Sequence, residues 1–407
     1  MKCRHCHAEL ALPLVDLGSA PPSNAYLTRQ TLRAPEKHYP LRVLVCTQCW
    51  LVQTEDYALA DELFNADYAY FSSASSGWLE HAARYAESIT RQLRLTSASL
   101  VIEVASNDGY LLKNFLMAGI PCLGIEPTAS TAQAAEKLGI PVMREFFGEA
   151  MAKRLTSAGK QADLIVGNNV YAHVPDINDF TRGLKAALKP GGTITLEFPH
   201  LMRLIEHTQF DTIYHEHFSY LSLYAAERIF QSADLRIHDV EELSTHGGSL
   251  RIHGSHANDL RLASPAVDLL LKEESRRGLQ EPNTYQHFQA KTDRIKDDLL
   301  AFLIEQKRRS KRLAAYGAAA KGNTLLNYAG IRPDLLPFVC DVSAAKQGKF
   351  MPGSRIPILP PSTLHEQRPD YLIILPWNIG AEVMRENAFL AESGTKFVTA
   401  VPRLEVV

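Results

Sequence analysis

Leu100-Val101-Ile102-Glu103-Val104-Ala105-Ser106-Asn107-Asp108-Gly109, then a helical pattern from Tyr110 to Ala118, then Cys122-Leu123-Gly124-Ile125-Glu126, is the stretch that decides the fold class. An apolar run of strand length, a tight turn, a helix and a second apolar run read as the βαβ opening of a doubly wound α/β sheet. Glu126 stands at the tip of the second strand, about 20 residues past the first turn, where an acidic side chain accepts hydrogen bonds from two ribose hydroxyls. The turn carries carboxylates of its own, Glu103 and Asp108. A dinucleotide pyrophosphate would set two negative charges against them, whereas S-adenosylmethionine brings a sulfonium and an ammonium. Glu103, Ala105, Asn107, Asp108, Gly109 and Glu126 are therefore the expected cofactor contacts.

Downstream, Ile140–Met143, Asp163–Val166 and Thr193–Phe198 read as further strands. Between the last two lie Asn168-Asn169-Val170-Tyr171-Ala172-His173 and a helix expected to end at Lys189-Pro190-Gly191-Gly192. Asn168 and Asn169 follow the fourth strand, at the carboxyl edge where such sheets bind ligands, and join the expected cofactor site. Upstream, four of the six cysteines fall as Cys3-x-x-Cys6 and Cys46-x-x-Cys49. In a reducing compartment paired knuckles hold zinc as thiolates, and four protein ligands leave no position for water, so the ion is structural. Cys122 and Cys340 sit in apolar runs and read as buried core thiols. The segment Phe210-Asp211-Thr212-Ile213-Tyr214-His215-Glu216-His217-Phe218-Ser219-Tyr220-Leu221-Ser222 holds too many ionisable groups for an ordinary core strand.

Glu-Val-Ala-Ser-Asn-Asp-Gly at 103–109, Asn-Asn-x-x-x-His at 168–173 and Lys-Pro-Gly-Gly at 189–192 resemble a class I S-adenosylmethionine-dependent methyltransferase, with Ala105 where that family has its first glycine. With the cysteine knuckles and the Tyr-His-Glu-His segment, the whole chain resembles the sugar C-methyltransferases that act on nucleoside-diphosphate deoxyketosugars. That resemblance implies catalytic roles for Tyr68, His173, Tyr214, Glu216 and His217. It also implies a nucleoside-diphosphate 4-keto-deoxy sugar as substrate, methylated at C3 or alternatively at C5. Methylating carbon beside a carbonyl needs a base, an enolate stabiliser and an aligned donor. His217 is the expected base, with Glu216 orienting or polarising it and Tyr214 or His173 donating to the oxyanion; Glu216 as the base is the competing assignment. In an extended segment His215 and His217 would share one face, and Tyr214 and Glu216 the other. His215 also reads as a structural histidine.

Farther on, His246-Gly247-Gly248 lies between strands at Leu235–Val240 and Ser249–His253; with Ser249 and Arg251 it resembles a substrate-contact loop, a plain hairpin being the equal alternative. Leu313 to Asn323 repeats the pattern of strand, small-residue turn and helix. Lys321 supplies the positive charge that the first turn lacks, so this second turn is expected to hold the diphosphate, with Asn323 and Asp341 as further substrate contacts. An NAD-dependent sugar-nucleotide oxidoreductase or epimerase using this loop is the rival enzyme. The expected organisation is a zinc module over 1–60, a methyltransferase domain over 61–262 and a Rossmann-like domain over 263–407 that contributes to sugar-nucleotide binding.

Composition agrees with a folded enzyme. Of 407 residues 46% are hydrophobic and 22% charged, near globular averages. Lys and Arg number 43 against 45 Asp and Glu, which argues against the broad basic surface of a nucleic-acid binder. No apolar run reaches the length of a membrane span, and Met1-Lys2-Cys3-Arg4 lacks the apolar core of a signal peptide, so the cytoplasm is the expected compartment. No obligate protein partner is expected.

Overall fold

The computed structural model describes residues 1–57 and 71–407; Tyr68 lies outside the described residues. In chain order the strands are β1 (Leu12–Ala20), β2 (Tyr39–Val45), β3 (Val52–Thr54), β4 (Val101–Val104), β5 (Cys122–Ile125), β6 (Val142–Met143), β7 (Ala162–Asn168), β8 (Leu188–Pro199), β9 (Ser219–Tyr220), β10 (Leu235–Leu243) and β11 (Ser249–His256). They continue with β12 (Leu313–Tyr316), β13 (Val339–Cys340), β14 (Ile358–Leu359), β15 (Tyr371–Ile374), β16 (Lys396–Thr399) and β17 (Glu405–Val406).

The expected βαβ opening forms: β4 and β5 pair in parallel across a helix at Leu112–Met117. The central sheet has the order β6-β5-β4-β7-β8-β11-β10, parallel except for β11, which runs antiparallel to both neighbours. Strand order reverses between β4 and β7, so the carboxyl ends of those strands open the crevice in which doubly wound sheets take ligands. Lys189–Gly192, expected as a helix end, lies instead inside β8. The helix stops at Ala187, Leu188 already pairs with Ala162, and a register shift follows as the strand passes Pro190 and left-handed Gly191.

A second doubly wound sheet, β14-β13-β12-β15-β16-β17, is parallel except for β17 and reverses at β12 and β15. Cys122 and Cys340 are buried as expected, and burial pushes their thiols up to about 11 and about 12. The helix Pro265–Arg276 packs on β10 and on the helix Leu223–Ser232. Its Glu274 caps the latter by accepting from the Leu223 and Tyr224 amides at 2.6 and 2.9 Å. Among the described residues no helix is long and apolar enough to cross a membrane.

The small N-terminal sheet has the order β1-β2-β3-β9. Its last member, β9, follows directly on the Tyr-His-Glu-His segment and pairs with β3, Gln53 opposite Ser219 and Val52 opposite Tyr220. The two cysteine knuckles have one construction. His7 and Trp50, each the residue after the second cysteine, are left-handed and donate to the carbonyls of Cys3 and Cys46. All four sulfurs lie within 4.8 Å of one another, with Cys3–Cys49 and Cys6–Cys46 both at 3.5 Å. A zinc tetrathiolate with Zn–S bonds of about 2.3 Å has sulfur–sulfur edges of about 3.8 Å, so the site fits the ion. Purified protein is expected to carry stoichiometric zinc, and Cys46→Ser to lose it together with several degrees of thermal stability. Elemental analysis and a melting curve check this; a variant that kept both would exclude the four-thiolate site.

Candidate active site in the cleft between the two doubly wound sheets

The first turn holds three left-handed residues, Ala105 (φ +57°), Asn107 (φ +48°) and Gly109 (φ +78°). The backbone thus keeps a glycine-type conformation at Ala105, at a cost of about 1–2 kcal/mol for an L-residue. At Gly109 a side chain is excluded, because a Cβ would stand 2.5 Å from Ile140 Cδ1. Glu126 braces the turn: Oε2 accepts from the Asn107 amide and Oε1 from the Thr128 amide, both at 2.9 Å. Asn107 Oδ1 and Asp108 Oδ2 in turn accept from the amides of Ser72 and Ser73, at 2.9 and 3.1 Å. Glu103 is fully buried; burial, then the charges of Asp108 and Glu126, push its carboxyl well above the usual range, opposed by the Tyr110 side chain.

Polar atoms are left over around this turn. Asp108 Oδ1, Ser106 Oγ, both amide atoms of Asn168 and Asn169 Oδ1 are buried with no hydrogen-bond partner among the described residues. Buried polar groups are ordinarily paired, so such a cluster marks a place for a polar ligand. Glu126 at the ribose position and acidic groups behind it fit S-adenosylmethionine.

The expected alternation of residues 214–217 does not occur, because the segment is a turn in which the His217 amide donates to the Tyr214 carbonyl at 2.9 Å. The turn folds Tyr214 onto His217, ring centroids 3.9 Å apart, and His173 meets the same ring edge-on at 4.6 Å. His215 points elsewhere: its Nε2 lies 3.2 Å from the Tyr39 carbonyl and its ring packs against Tyr39, a structural histidine. His217 Nδ1 lies 2.7 Å from the Thr212 carbonyl and must donate to it, which leaves the lone pair on Nε2. Burial, reinforced by the charges of His173, Lys321 and His246, pulls this imidazole well below its usual range, so it is neutral at physiological pH. Burial likewise brings His173 down to about 4.

Glu216 does not orient His217. Its carboxyl turns to Asn24, whose Nδ2 donates to Oε1 at 3.1 Å, while Oε2 is buried with no partner among the described residues. Burial pushes this carboxyl up to about 7. The orienting group is the Thr212 carbonyl, a main-chain atom for which sequence holds no signal. Asn24 lies far along the chain from Glu216 and was equally hidden.

On the opposite wall, His246 adopts φ +54° and its Nε2 lies 3.0 Å from Asn169 Nδ2, joining an expected cofactor residue to an expected substrate residue. Burial, then the charge of Lys321, brings His246 down to about 4. Lys321 reaches the His246 carbonyl at 3.4 Å and Asn378 Oδ1 at 3.3 Å. Asn323 is buried with both amide atoms lacking partners among the described residues. Three expected substrate contacts are instead engaged within the protein. Ser249 donates to the Thr245 carbonyl at 2.9 Å. Arg251 is paired to Glu197 at 2.7 Å and lies over the Tyr85 ring at 4.4 Å. Asp341 accepts from the amides of Ala318 and Ser343, each at 2.8 Å. Sequence reasoning also missed Trp78 and Trp377: the first leans on His246 with centroids 5.2 Å apart, and the second lies 4.8 Å beneath the Lys321 ammonium.

Comparison with known proteins bears on the family. Residues 244–402 match the C-methyltransferase C-terminal domain, residues 78–240 a methyltransferase domain and residues 3–64 a zinc binding domain. The chain is 33% identical over 406 residues to C-methyltransferase NovU of Streptomyces niveus, covering 100% of this chain and 96% of that protein. A ubiquinone biosynthesis O-methyltransferase of Methylobacterium nodulans is 29% identical over 106 residues, 25% of this chain and 41% of its own length. Among solved structures, an S-adenosylmethionine-dependent methyltransferase of Anabaena variabilis aligns with a TM-score of 0.39 and 16% identity over 49% of this chain and 96% of its own. The match to NovU runs through all three units, so the dinucleotide reading of the Gly317–Gly322 loop gives way to methyl transfer. By that full-length identity the chain belongs to the C-methyltransferase family, as an S-adenosylmethionine-dependent enzyme with a structural zinc module.

Proposed function

We propose that the chain methylates C3 of a 4-keto-deoxy sugar carried on a nucleoside diphosphate. The observation that carries this reading is a neutral imidazole in a desolvated cleft: His217 Nδ1 is tied to the Thr212 carbonyl at 2.7 Å, and Nε2 has no partner among the described residues. A lone pair held in that way suits abstraction of a proton made acidic by an adjacent carbonyl. The C3–H bond breaks, its proton goes to Nε2, and its electron pair becomes the enolate. When bound, S-adenosylmethionine supplies an electrophilic methyl group whose leaving group is a neutral thioether. Carbon C3 takes the methyl, the carbonyl re-forms, and the proton on His217 passes to solvent. Tyr214 and His173, which pack on His217, fix the ring and are the neutral donors on that side of the cleft.

In deuterated water, wild-type enzyme is expected to exchange the C3 proton of a 4-ketosugar nucleotide without methyl donor, and to place the methyl on the same carbon when donor is added. NMR locates both. Exchange and methylation at C5 would move the reaction to that carbon, and absence of exchange across a panel of such nucleotides would remove this substrate class. His217→Asn should lower the exchange rate by about 10²–10⁴-fold while S-adenosylmethionine binding, measured by calorimetry, stays near wild type.

One observation favours Glu216 as the base instead: a buried carboxyl at about 7 with an unpartnered oxygen. The pH profile separates the two. A His217 base, already deprotonated well below the usual imidazole range, gives exchange that stays level from about pH 8 to about pH 6. A Glu216 base must be ionised, so exchange would fall as pH drops through about 7, and Glu216→Gln would abolish it. The level profile is expected, retained in Glu216→Gln. Stability follows the opposite sign. Folding raises the Glu216 pKa, so its ionisation costs stability as pH rises through about 7, and Glu216→Gln should melt higher than wild type at about pH 8 but not at about pH 4.

A further inference from the structure

At the turn read from sequence as a phosphate cradle, protein side chains meet the backbone groups of Ala318. The Ala318 amide donates to Asp341 Oδ2 at 2.8 Å. The Ala318 carbonyl accepts from the Tyr26 hydroxyl at 2.6 Å and from Lys346 Nζ at 3.0 Å. Lys346, 3.6 Å from Asp341 and 5.5 Å from the Tyr26 ring centroid, is thus the cation at this turn, and Tyr26 lies across it.

Lys321 lies elsewhere, against the turn that bears His246. Its two hydrogen bonds, 3.4 Å to the His246 carbonyl and 3.3 Å to Asn378 Oδ1, are long and go to neutral oxygens, and its remaining neighbour is the Trp377 ring, 4.8 Å from the ammonium. Among the described residues no carboxylate lies within ion-pairing distance of it. Buried Asp211 is the acid that bears on it electrostatically, and Asp211 Oδ2 already accepts from Trp377 Nε1 at 2.7 Å. An ammonium has three N–H donors and wants short acceptors, so this one is under-supplied. Its charge is nonetheless felt by the rings of both His217 and His246.

We propose that Lys321 is the oxyanion donor of the reaction, its ammonium hydrogen-bonding the ketone oxygen beside the carbon that is methylated. This rests on the ketosugar reading given above. In the resting cleft Lys321 opposes protonation of His217, which keeps the base free. Once the proton reaches His217 Nε2, two cations flank the enolate, and both interactions become favourable at the moment negative charge forms on the oxygen. Lys321 keeps its proton throughout; the oxygen gains charge when the C–H bond breaks and loses it when the carbonyl re-forms. A charge-assisted hydrogen bond of this kind is roughly twice as strong as one from a neutral donor.

The test compares two functions of one residue. Lys321→Gln and Lys321→Arg are assayed beside wild type for deuterium exchange into a saturating 4-ketosugar nucleotide, and for calorimetric binding of uridine and thymidine diphosphates, which lack the ketone. Lys321→Gln is expected to slow exchange by about 10²–10³-fold with unchanged affinity for the diphosphates, and Lys321→Arg to recover part of the rate. S-adenosylmethionine affinity reports folding; should Lys321→Gln fail that control, Lys321→Arg carries the comparison, with slowed exchange and intact diphosphate binding still expected. Weakened diphosphate binding, with or without loss of exchange, would return Lys321 to the phosphates and overturn the inference. Exchange that fails already in wild type overturns the ketosugar reading and this inference with it, whereas failure of the variants to slow overturns this one alone.

Discussion

Asp211, His215, Glu216 and His217 are all buried within a single short segment, and taking four ionisable side chains out of water obliges the protein to meet each with a fixed polar group. The groups that do so come from widely separated parts of the chain. Thr212 holds His217, Tyr39 of β2 holds His215, Asn24 holds Glu216, and Trp377, beyond β15, holds Asp211. The N-terminal sheet adds further contacts to this turn. Thr54 at the end of β3 donates its hydroxyl to the His217 carbonyl at 3.2 Å and its amide to the Phe218 carbonyl at the same distance. Arg4, inside the first knuckle, lies over Phe218 and donates to the Pro175 carbonyl at 2.8 Å.

The two doubly wound sheets use one device for different ends. After β5, Glu126 accepts the amides of Asn107 and Thr128; after β13, Asp341 accepts the amides of Ala318 and Ser343. In both, an acid at the strand tip braces the neighbouring small-residue turn. What differs is the remainder. Around the first turn several polar atoms lack partners among the described residues, whereas at the second Tyr26 and Lys346 both converge on the Ala318 carbonyl and the atoms left over are those of Asn323. A shared fold therefore says little about ligand occupancy; the count of unsatisfied buried groups says more.

This difference also marks the limit of what sequence carried. The βαβ opening, both sheets and the cysteine knuckles were legible because hydrophobic period and ligand spacing are local properties. Lys189–Gly192 was misread because a Pro-Gly-Gly run is a helix stop in most contexts, and only pairing with β7 makes it a strand irregularity. The alternation of residues 214–217 held only for an extended segment, and nothing within the segment says that the His217 amide closes back on Tyr214. For Ser249 and Arg251 the substrate-contact and plain-hairpin readings stood level, and the carboxylate that engages Arg251, Glu197, was hidden because it lies on a different strand, β8.

Trp78 joins the first turn to the turn that bears His246. Its ring stacks on His81 with centroids 4.9 Å apart, lies 6.0 Å from Tyr110 at the end of the cofactor turn, and leans on His246 at 5.2 Å. His81 in turn meets Glu197 at 2.9 Å, and Glu197 accepts from the Thr245 hydroxyl at 2.9 Å, so the turn bearing His246 is fixed at both ends of one loop of contacts. The backbone of that turn is left-handed at three successive residues, His246, Gly247 and Gly248. Gly247 has a second reason to lack a side chain, since a Cβ would come 2.4 Å from the Trp377 ring that underlies Lys321. The first turn and the turn bearing His246 are thus joined through one packed aromatic side chain, Trp78.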